Sequence, residues 1–566
     1  MNNLYRVFVF ISIFLRVNSV LFDRYSGKKV DEERAKEFRL KKYLDKCTVD
    51  IKSCAAHEVS RVSGTCNNYK HPAAGAAGRP YLRLLQPDYA NQNEIRRAKT
   101  GEQLPSARKV HTSLNVATKY VLDRSNLNAA AIHFMELVRQ DLSSSNGPLD
   151  SLKRNCCTEK ADPRCIPIQV DNDPHLQGIH CLNFSRAETF QDLGCTHDIT
   201  PAQINYQTPL LDLSLIYGVE ETSQEGRSYK DGLLKSNKAG HHDLPLNYNT
   251  DCFTDNGTCY TIGYRNMITY DLISTSNDHV TTYDVQTPPG VYAEFDIAMR
   301  FFKTFMSSKI EKYNEAYEKV GEIELNKSFL LQSLLENETN FEEINRGTFL
   351  QSATNINNIK FPNDDPVSMD IQSGRDFALR GYNEYRDFCG LRIAMEFDDL
   401  KDIIDDEIVE VLKKVYKNVN DVDLLVGILA ENNIDSTFVG PTLFCIIVKQ
   451  LEILRFSNRF WFERGDNYHS FSLAQLSEIR KTNMARLACD NAEGIKYIQP
   501  YALMSTSHWN TPVPCSHIPG LELSKWRDAS CKENVSTKSE KHDSNQYHFP
   551  QYTSFINDIL SSMHLQ

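Results

Sequence analysis

From Ala131 to Leu142 the apolar side chains fall at Ala131, Phe134, Met135, Val138 and Leu142. That recurrence predicts a helix with one buried face. Three polar residues in a row, Arg139, Gln140 and Asp141, stand at its end. Three consecutive polar side chains cannot share one buried face, so this end either surfaces or lines a site. From Tyr292 onward helical patterns dominate, in EFDIAMRFFKTFM, EIVEVLKKVY, PTLFCIIVKQLEILRF and LAQLSEIRKTNMARLAC. Between these regions, residues 147–203 are Cys-rich and irregular, and TPLLDLSLIYG (Thr208 to Gly218) is a short apolar segment leading into a loop. A Gly-, Pro- and Asn-rich stretch after Arg61 reads as covering loop.

Composition adds compartment and boundaries. The chain has 566 residues, 41% of them apolar, which is ample for one large core. A net charge of −11 argues against nucleic-acid binding through a general basic field. Arg6 followed by an apolar run from Val7 to Leu15 reads as a signal peptide over residues 1–19. No later apolar run is long enough to span a membrane, so a secreted chain is expected. Residues 20–60 are highly charged and read as a helical leader or pro-segment. A domain over 61–530 and a polar tail over 531–566 follow. The 15 cysteines suit disulfides, and Cys181 with Cys195 and Cys252 with Cys259 are close in sequence. Spacing alone does not fix connectivity, and the odd total leaves one thiol over. Sequons at Asn183, Asn256, Asn326, Asn337 and Asn534 fit a glycosylated, extracellular chain.

Six phrases form a set: GTCNN (Gly64 to Asn68), TPLLDLSLIYG, GRDFALRGYNEYRDFCGL (Gly374 to Leu391), NRFWFE (Asn458 to Glu463), RLACDN (Arg486 to Asn491) and VPCSHIP (Val513 to Pro519). In this order they resemble the animal haem peroxidase family, in particular its secreted arthropod branch of peroxinectin-like and chorion-type enzymes. The resemblance implies a mainly α fold, a single large helical domain with few short strands built round a haem. It also implies a distal His and Arg that cleave peroxide, a proximal His on the iron, and a calcium ion at the distal helix.

Position by position, the haem side departs from that pattern. The family's Asp-His-Asp run falls on Arg139, Gln140 and Asp141. Gln140 has no titratable nitrogen, and Arg139 cannot form the covalent haem bond that an Asp can. The proximal His falls on Lys303 and the Gly before it on Phe302. An ammonium ligates iron only after losing its proton. The Asn that orients the proximal His falls on Asp370, which can still accept a hydrogen bond, and the propionate Arg falls on Ser373. Arg265 stands near the distal Arg position, one place out of register. Only 35 residues separate Arg265 from Arg300, so a segment of the family looks deleted there. The changes at 139, 140, 302, 303 and 373 lie outside that gap.

The calcium positions read differently. The resemblance places ligands at Asp141, Thr208, Leu210 (through its carbonyl), Asp212 and Ser214, an oxygen set that suits calcium. A buried Asp in a hydrogen-bonded turn is the other reading. Arg464-Gly465-Asp466 offers an integrin-type adhesive tripeptide, though such tripeptides recur by chance. The sequence therefore reads as a secreted peroxidase-fold protein whose haem site has decayed, acting by binding, adhesion or matrix association with an extracellular or cell-surface partner. No nucleic acid, no transmembrane segment and no haem are expected, and calcium is. The alternative is a working haem peroxidase oxidising donors with hydrogen peroxide.

Overall fold

The computed structural model describes residues 51–526 apart from 52, 118–125, 146–154, 159–161, 171–172, 174–175, 193–199, 215–218, 220–232, 236–258, 262–285, 307–308, 325–337, 354–364, 435–436, 468 and 493. The described helices are α1 (Ala107–Ala117), α2 (Ala129–Leu142), α3 (Ala293–Met299), α4 (Glu338–Leu350), α5 (Pro366–Asp376), α6 (Tyr382–Phe388), α7 (Asp406–Val415), α8 (Leu424–Ala430), α9 (Pro441–Phe456), α10 (Leu473–Ile479) and α11 (Met484–Asn491). The described strands pair antiparallel, two by two. They are β1 (Arg79–Pro80) with β4 (Ile204–Asn205), β2 (Ile168–Gln169) with β3 (Cys181–Leu182), β5 (Leu233–Lys235) with β6 (Cys259–Thr261), β7 (Lys309–Tyr313) with β8 (Lys319–Glu324), and β9 (Tyr497–Ile498) with β10 (Val513–Pro514). The architecture is thus mainly α, as the periodicity predicts.

Helix starts follow from local chemistry. Asn128 caps α2, its side chain accepting from the Ala131 amide. Its amide nitrogen donates to the carbonyls of Phe349 and Ala502, which fixes where α2 begins. Asp365 caps α5 and Pro366 follows in the first turn, where its missing N–H costs nothing. Helix α3 is the centre: all seven of its residues are buried, and α2, α5, α8 and α9 pack against it. Two of the seven are acids, Glu294 and Asp296, and a buried charge needs partners.

A second polar node ties the surrounding helices. Asp423, just before α8, accepts from Arg375 of α5 at 2.7 Å, from Arg96, and from the Tyr416 hydroxyl at 2.7 Å. Burial pushes its carboxyl up, but Arg375 and Arg96 outweigh that and hold it at about 2. Beside this node α6 crosses α8 at Gly427. A Cβ there would stand 2.0 Å from Tyr382 Cγ, so only glycine permits the approach.

Several expectations need correction. Cys181 bonds Cys157 rather than Cys195, which lies outside the described residues, and Cys156 bonds Cys165. The pairing of Cys252 with Cys259 falls on residue 252, also outside them. The remaining described disulfides are Cys54–Cys66, Cys389–Cys445 and Cys489–Cys515. The described end of the charged leader, residues 53–60, is not helical. It is bound to the body by Cys54–Cys66 and by Arg459, which donates to the Ala55 carbonyl at 3.0 Å. One compact unit runs to Glu522 and a second from Leu523, of which only a 3₁₀ turn, Leu523–Trp526, is described. The helical phrase at 473–489 is two helices, because the Asn483 side chain accepts from the Arg486 amide and starts α11 afresh. The β7–β8 hairpin falls between the helical phrases, and it buries Ile310 against Ile344 of α4.

Gly427→Ala is expected to destabilise the protein by about 1–3 kcal/mol through overpacking against Tyr382. Denaturant melts check this; an unchanged midpoint would mean that α6 shifts freely.

Candidate functional site

The end of α2 carries one end of a ladder of ion pairs. Arg139 donates from Nε to Glu136 at 3.0 Å and from Nη2 to the other Glu136 oxygen at 2.7 Å. Its Nη1 reaches across to Asp296 of α3 at 2.8 Å. Gln140 donates to Glu136 at 2.7 Å, so its amide is turned along α2. The ladder continues on the far side. Arg300 donates to Asp296 at 2.8 Å and to Asp370 of α5 at 2.9 Å. Lys303 contacts Asp370 at 3.4 Å.

The structure therefore joins four sequence-predicted positions, Arg139, Gln140, Lys303 and Asp370, through three residues that sequence reasoning missed: Glu136, Asp296 and Arg300. Signs alternate along it, from Glu136 to Arg139, Asp296, Arg300, Asp370 and Lys303. Such alternation lets buried charges screen one another. Local spacing supplies two rungs, since Glu136 to Arg139 is i,i+3 and Asp296 to Arg300 is i,i+4. The same spacing in the sequence was the available signal. Helix α2 also packs directly on the 3₁₀ turn Phe302–Phe305 that carries Lys303.

Electrostatics favours the charged forms. Burial pushes the Asp296 carboxyl up, but Arg300, Arg139 and a 2.7 Å bond from Ser143 hold it well below the usual carboxylate range. Burial lowers Arg139, and Asp296 with Glu136 more than restores it. Ser143 in turn is bonded to the Tyr81 hydroxyl at 2.8 Å. The ladder has one wet end, since Lys303 keeps 33% of its side chain in solvent.

The other expected positions separate. Phe302 lies in an aromatic cluster, edge-on to Phe301 and Phe438. Ser373 bonds back to the Met369 carbonyl of its own helix at 3.0 Å. Arg265 lies outside the described residues. Arg464 is 2% exposed and folds back onto Asp466, which is 58% exposed. A receptor that reads both residues would find the guanidinium buried, so the tripeptide is not presented as an adhesive unit.

Four of the five expected oxygen residues, Asp141, Thr208, Asp212 and Ser214, come together in one turn. Asp141 accepts from the Leu213 amide at 2.9 Å, and Leu213 adopts a left-handed φ of 58° that turns the loop onto α2. Ser214 Oγ lies 3.3 Å from the Asp141 carbonyl, 3.4 Å from its carboxylate, 3.1 Å from Gln207 Oε1 and 3.4 Å from Thr208 Oγ1. Thr208 Oγ1 lies 3.3 Å from Asp212. The Ser214 amide also donates to Asp212 at 3.0 Å, so carboxylate, hydroxyl, carbonyl and amide oxygens lie together in one turn. Oxygens of these types are those a hard cation prefers. Leu210 sits half-buried in the same loop.

The animal haem peroxidase family model matches this chain in two segments, residues 59–276 and 261–503. A protein named Peroxidase from Drosophila melanogaster is 29% identical, with 85% of this chain and 84% of that protein covered. The mouse Peroxidasin homolog is 26% identical over 86% of this chain, which spans 40% of that longer protein. Among solved structures, peroxidase A of Dictyostelium discoideum superposes with a TM-score of 0.60 at 20% identity, covering 79% of this chain and all of that one. The last likeness carries the fold alone.

Asp296→Asn leaves Arg139 and Arg300 facing a neutral amide. The expected loss at neutral pH is about 3–5 kcal/mol, the usual cost of breaking a buried ion network. Because the folded carboxyl is depressed, its contribution is present above the unfolded value near ~3.9 and is lost as pH falls. The gap between wild type and variant in chemical melts should therefore shrink toward about pH 3; a gap independent of pH would show that the ladder contributes no electrostatic stability.

Proposed function

The chain belongs to the animal haem peroxidase family, and we propose that it is a secreted member that has given up haem and acts through surface contacts as a binding or matrix-associated protein. The ladder carries this reading. A haem would have to pass between α2 and the turn at 302–305, where Arg139, Asp296, Arg300, Asp370 and Lys303 are already bonded to one another. The residues present do not fit the group. Lys303 would need to lose its proton and leave Asp370. Gln140 cannot pass a proton from peroxide, a contribution of typically about 10²–10⁴-fold. Displacing Arg139 would strip Asp296 of one of its two cations.

Secretion is supported by the disulfide-rich body, since such bonds persist in oxidising compartments. No helix among the described residues is long and apolar enough to cross a membrane. The partner is a protein or cell surface outside the cell, reached without the tripeptide at Arg464. Calcium is the one cofactor retained, held by Asp141, Thr208, Leu210, Asp212 and Ser214. The second reading, an active peroxidase using hydrogen peroxide, is favoured by the resemblance to the Drosophila enzyme along most of both chains.

Expression with excess haem, followed by gel filtration, absorption spectroscopy and a donor-oxidation assay with peroxide, separates the two. No stoichiometric Soret band and no turnover are expected, and Gln140→His alone should rescue neither. A strong Soret band at one haem per chain, lost in Lys303→Ala, would establish Lys303 as a ligand and the second reading as correct.

Calcium bound only to the folded state should add about 3–4 kcal/mol at a hundred to a thousand times its Kd. Chelator should lower the melting temperature, and Asp141→Ala or Asp212→Ala should abolish that effect. An unchanged melting curve with no tightly bound metal by elemental analysis would leave a hydrogen-bonded turn in its place.

A further inference from the structure

Two groups stand out among the buried acids of this protein. Asp296, Asp365, Asp376, Asp423 and Glu463 each accept from an arginine. Glu294 and Glu431 do not. Glu294 accepts from the Leu84 and Leu85 amides at 3.1 and 3.4 Å and from the Tyr385 hydroxyl at 3.2 Å. Glu431 accepts from the Tyr382 hydroxyl at 2.7 Å and from the Thr442 amide at 3.0 Å. Both tyrosines sit on α6, and both are wholly buried. The short helix α6 is thus fastened on one side to α3 and on the other to the junction of α8 and α9, each time by a tyrosine on a carboxyl with neutral donors.

We propose that α6 is a proton-operated clasp: protonated Glu431 keeps it closed, and ionisation of Glu431 loosens it from α8 and α9. Packing makes ionisation costly. Glu431 is 2% exposed. A Cβ on Gly440 would stand 2.3 Å from Glu431 Oε2, and the Tyr382 ring fills the space beside Gly427. Water reaches the carboxylate only if α6 or the start of α9 moves. The groups facing Glu431 are few. From α6 they are Tyr382 and Arg386, the latter bound to Asp402 at 2.6 Å, and from α9 the Thr442 amide and hydroxyl. On the other half, Arg83 is the cation that acts on Glu294, and it donates to the Phe377 carbonyl and Gln203.

The sign follows. Burial pushes Glu431 up to about 7, against the bonds from Thr442 and Tyr382. A carboxyl raised on folding contributes stability at acid pH that is lost as pH climbs through the folded value. His133 works in the opposite direction in an overlapping range, because burial lowers it against the pull of Glu136. Its contribution cancels when wild type is compared with a Glu431 variant.

The test is the unfolding constant of the full chain from denaturant melts between pH 5 and pH 8, in wild type and Glu431→Gln. Relative to the variant, wild type should lose stability on going to pH 8 by of the order of a hundredfold in that constant. Hydrogen exchange of amides in 382–388, corrected for its intrinsic pH dependence, should quicken in wild type alone. Parallel pH profiles and equal protection would overturn the proposal. If Glu431→Gln does not fold, Tyr382→Phe serves. It removes a donor to the carboxylate and should move the transition to higher pH; an unmoved midpoint overturns the clasp equally.

Discussion

Everything at the centre of this protein depends on Asp296. It is an ionised carboxylate on a helix with no exposed residue, and such a group is stable only with its charge answered nearby. Arg139 answers it from α2 and Arg300 from the end of α3, while Ser143 adds a neutral bond. Arg300 needs a second acid, which Asp370 of α5 supplies, and Lys303 completes the balance. One buried acid thus sets the positions of three helices and the turn that follows α3.

Helix α2 couples this ladder to the oxygen cluster. Gln140 turns toward Glu136 along the helix, and the next residue, Asp141, turns the other way into the loop at 207–214. The three polar residues that end the helix serve two polar sites on two sides of it. A change in either site is felt at the end of α2. The proposed calcium, if bound there, would hold the helix end from which Arg139 reaches α3.

Much of this was legible in sequence. The run at 139–141 marked the helix end as unusual because its polarity broke the apolar stripe; of the oxygens at 208, 212 and 214, that of Ser214 meets Asp141 directly and Thr208 links it to Asp212. Periodicity found the long helices, such as α9, whose apolar pattern is regular. It failed where a polar cap divides one pattern, as Asn483 does. It left the β7–β8 hairpin unassigned, because one buried isoleucine decides there and charges give no clear period. The ladder was half visible: Glu136 with Arg139 and Asp296 with Arg300 stand at ion-pair spacing, but the contact between Arg139 and Asp296 joins residues far apart in the chain. Disulfide partners were not legible for the same reason, and Cys181 passes over the closer Cys195 for Cys157. The tripeptide at Arg464 stayed open between adhesion and chance because sequence carries no burial.

The central claim is that this ladder stands where relatives of the fold would carry haem. A crystal structure of the chain produced with excess haem tests it most directly, through the electron density between α2 and the turn at 302–305. The account predicts Arg139 bonded directly to Asp296 and Lys303 beside Asp370, with side-chain density alone between the helices. Flat tetrapyrrole density there, with the Lys303 nitrogen on the iron, would contradict it.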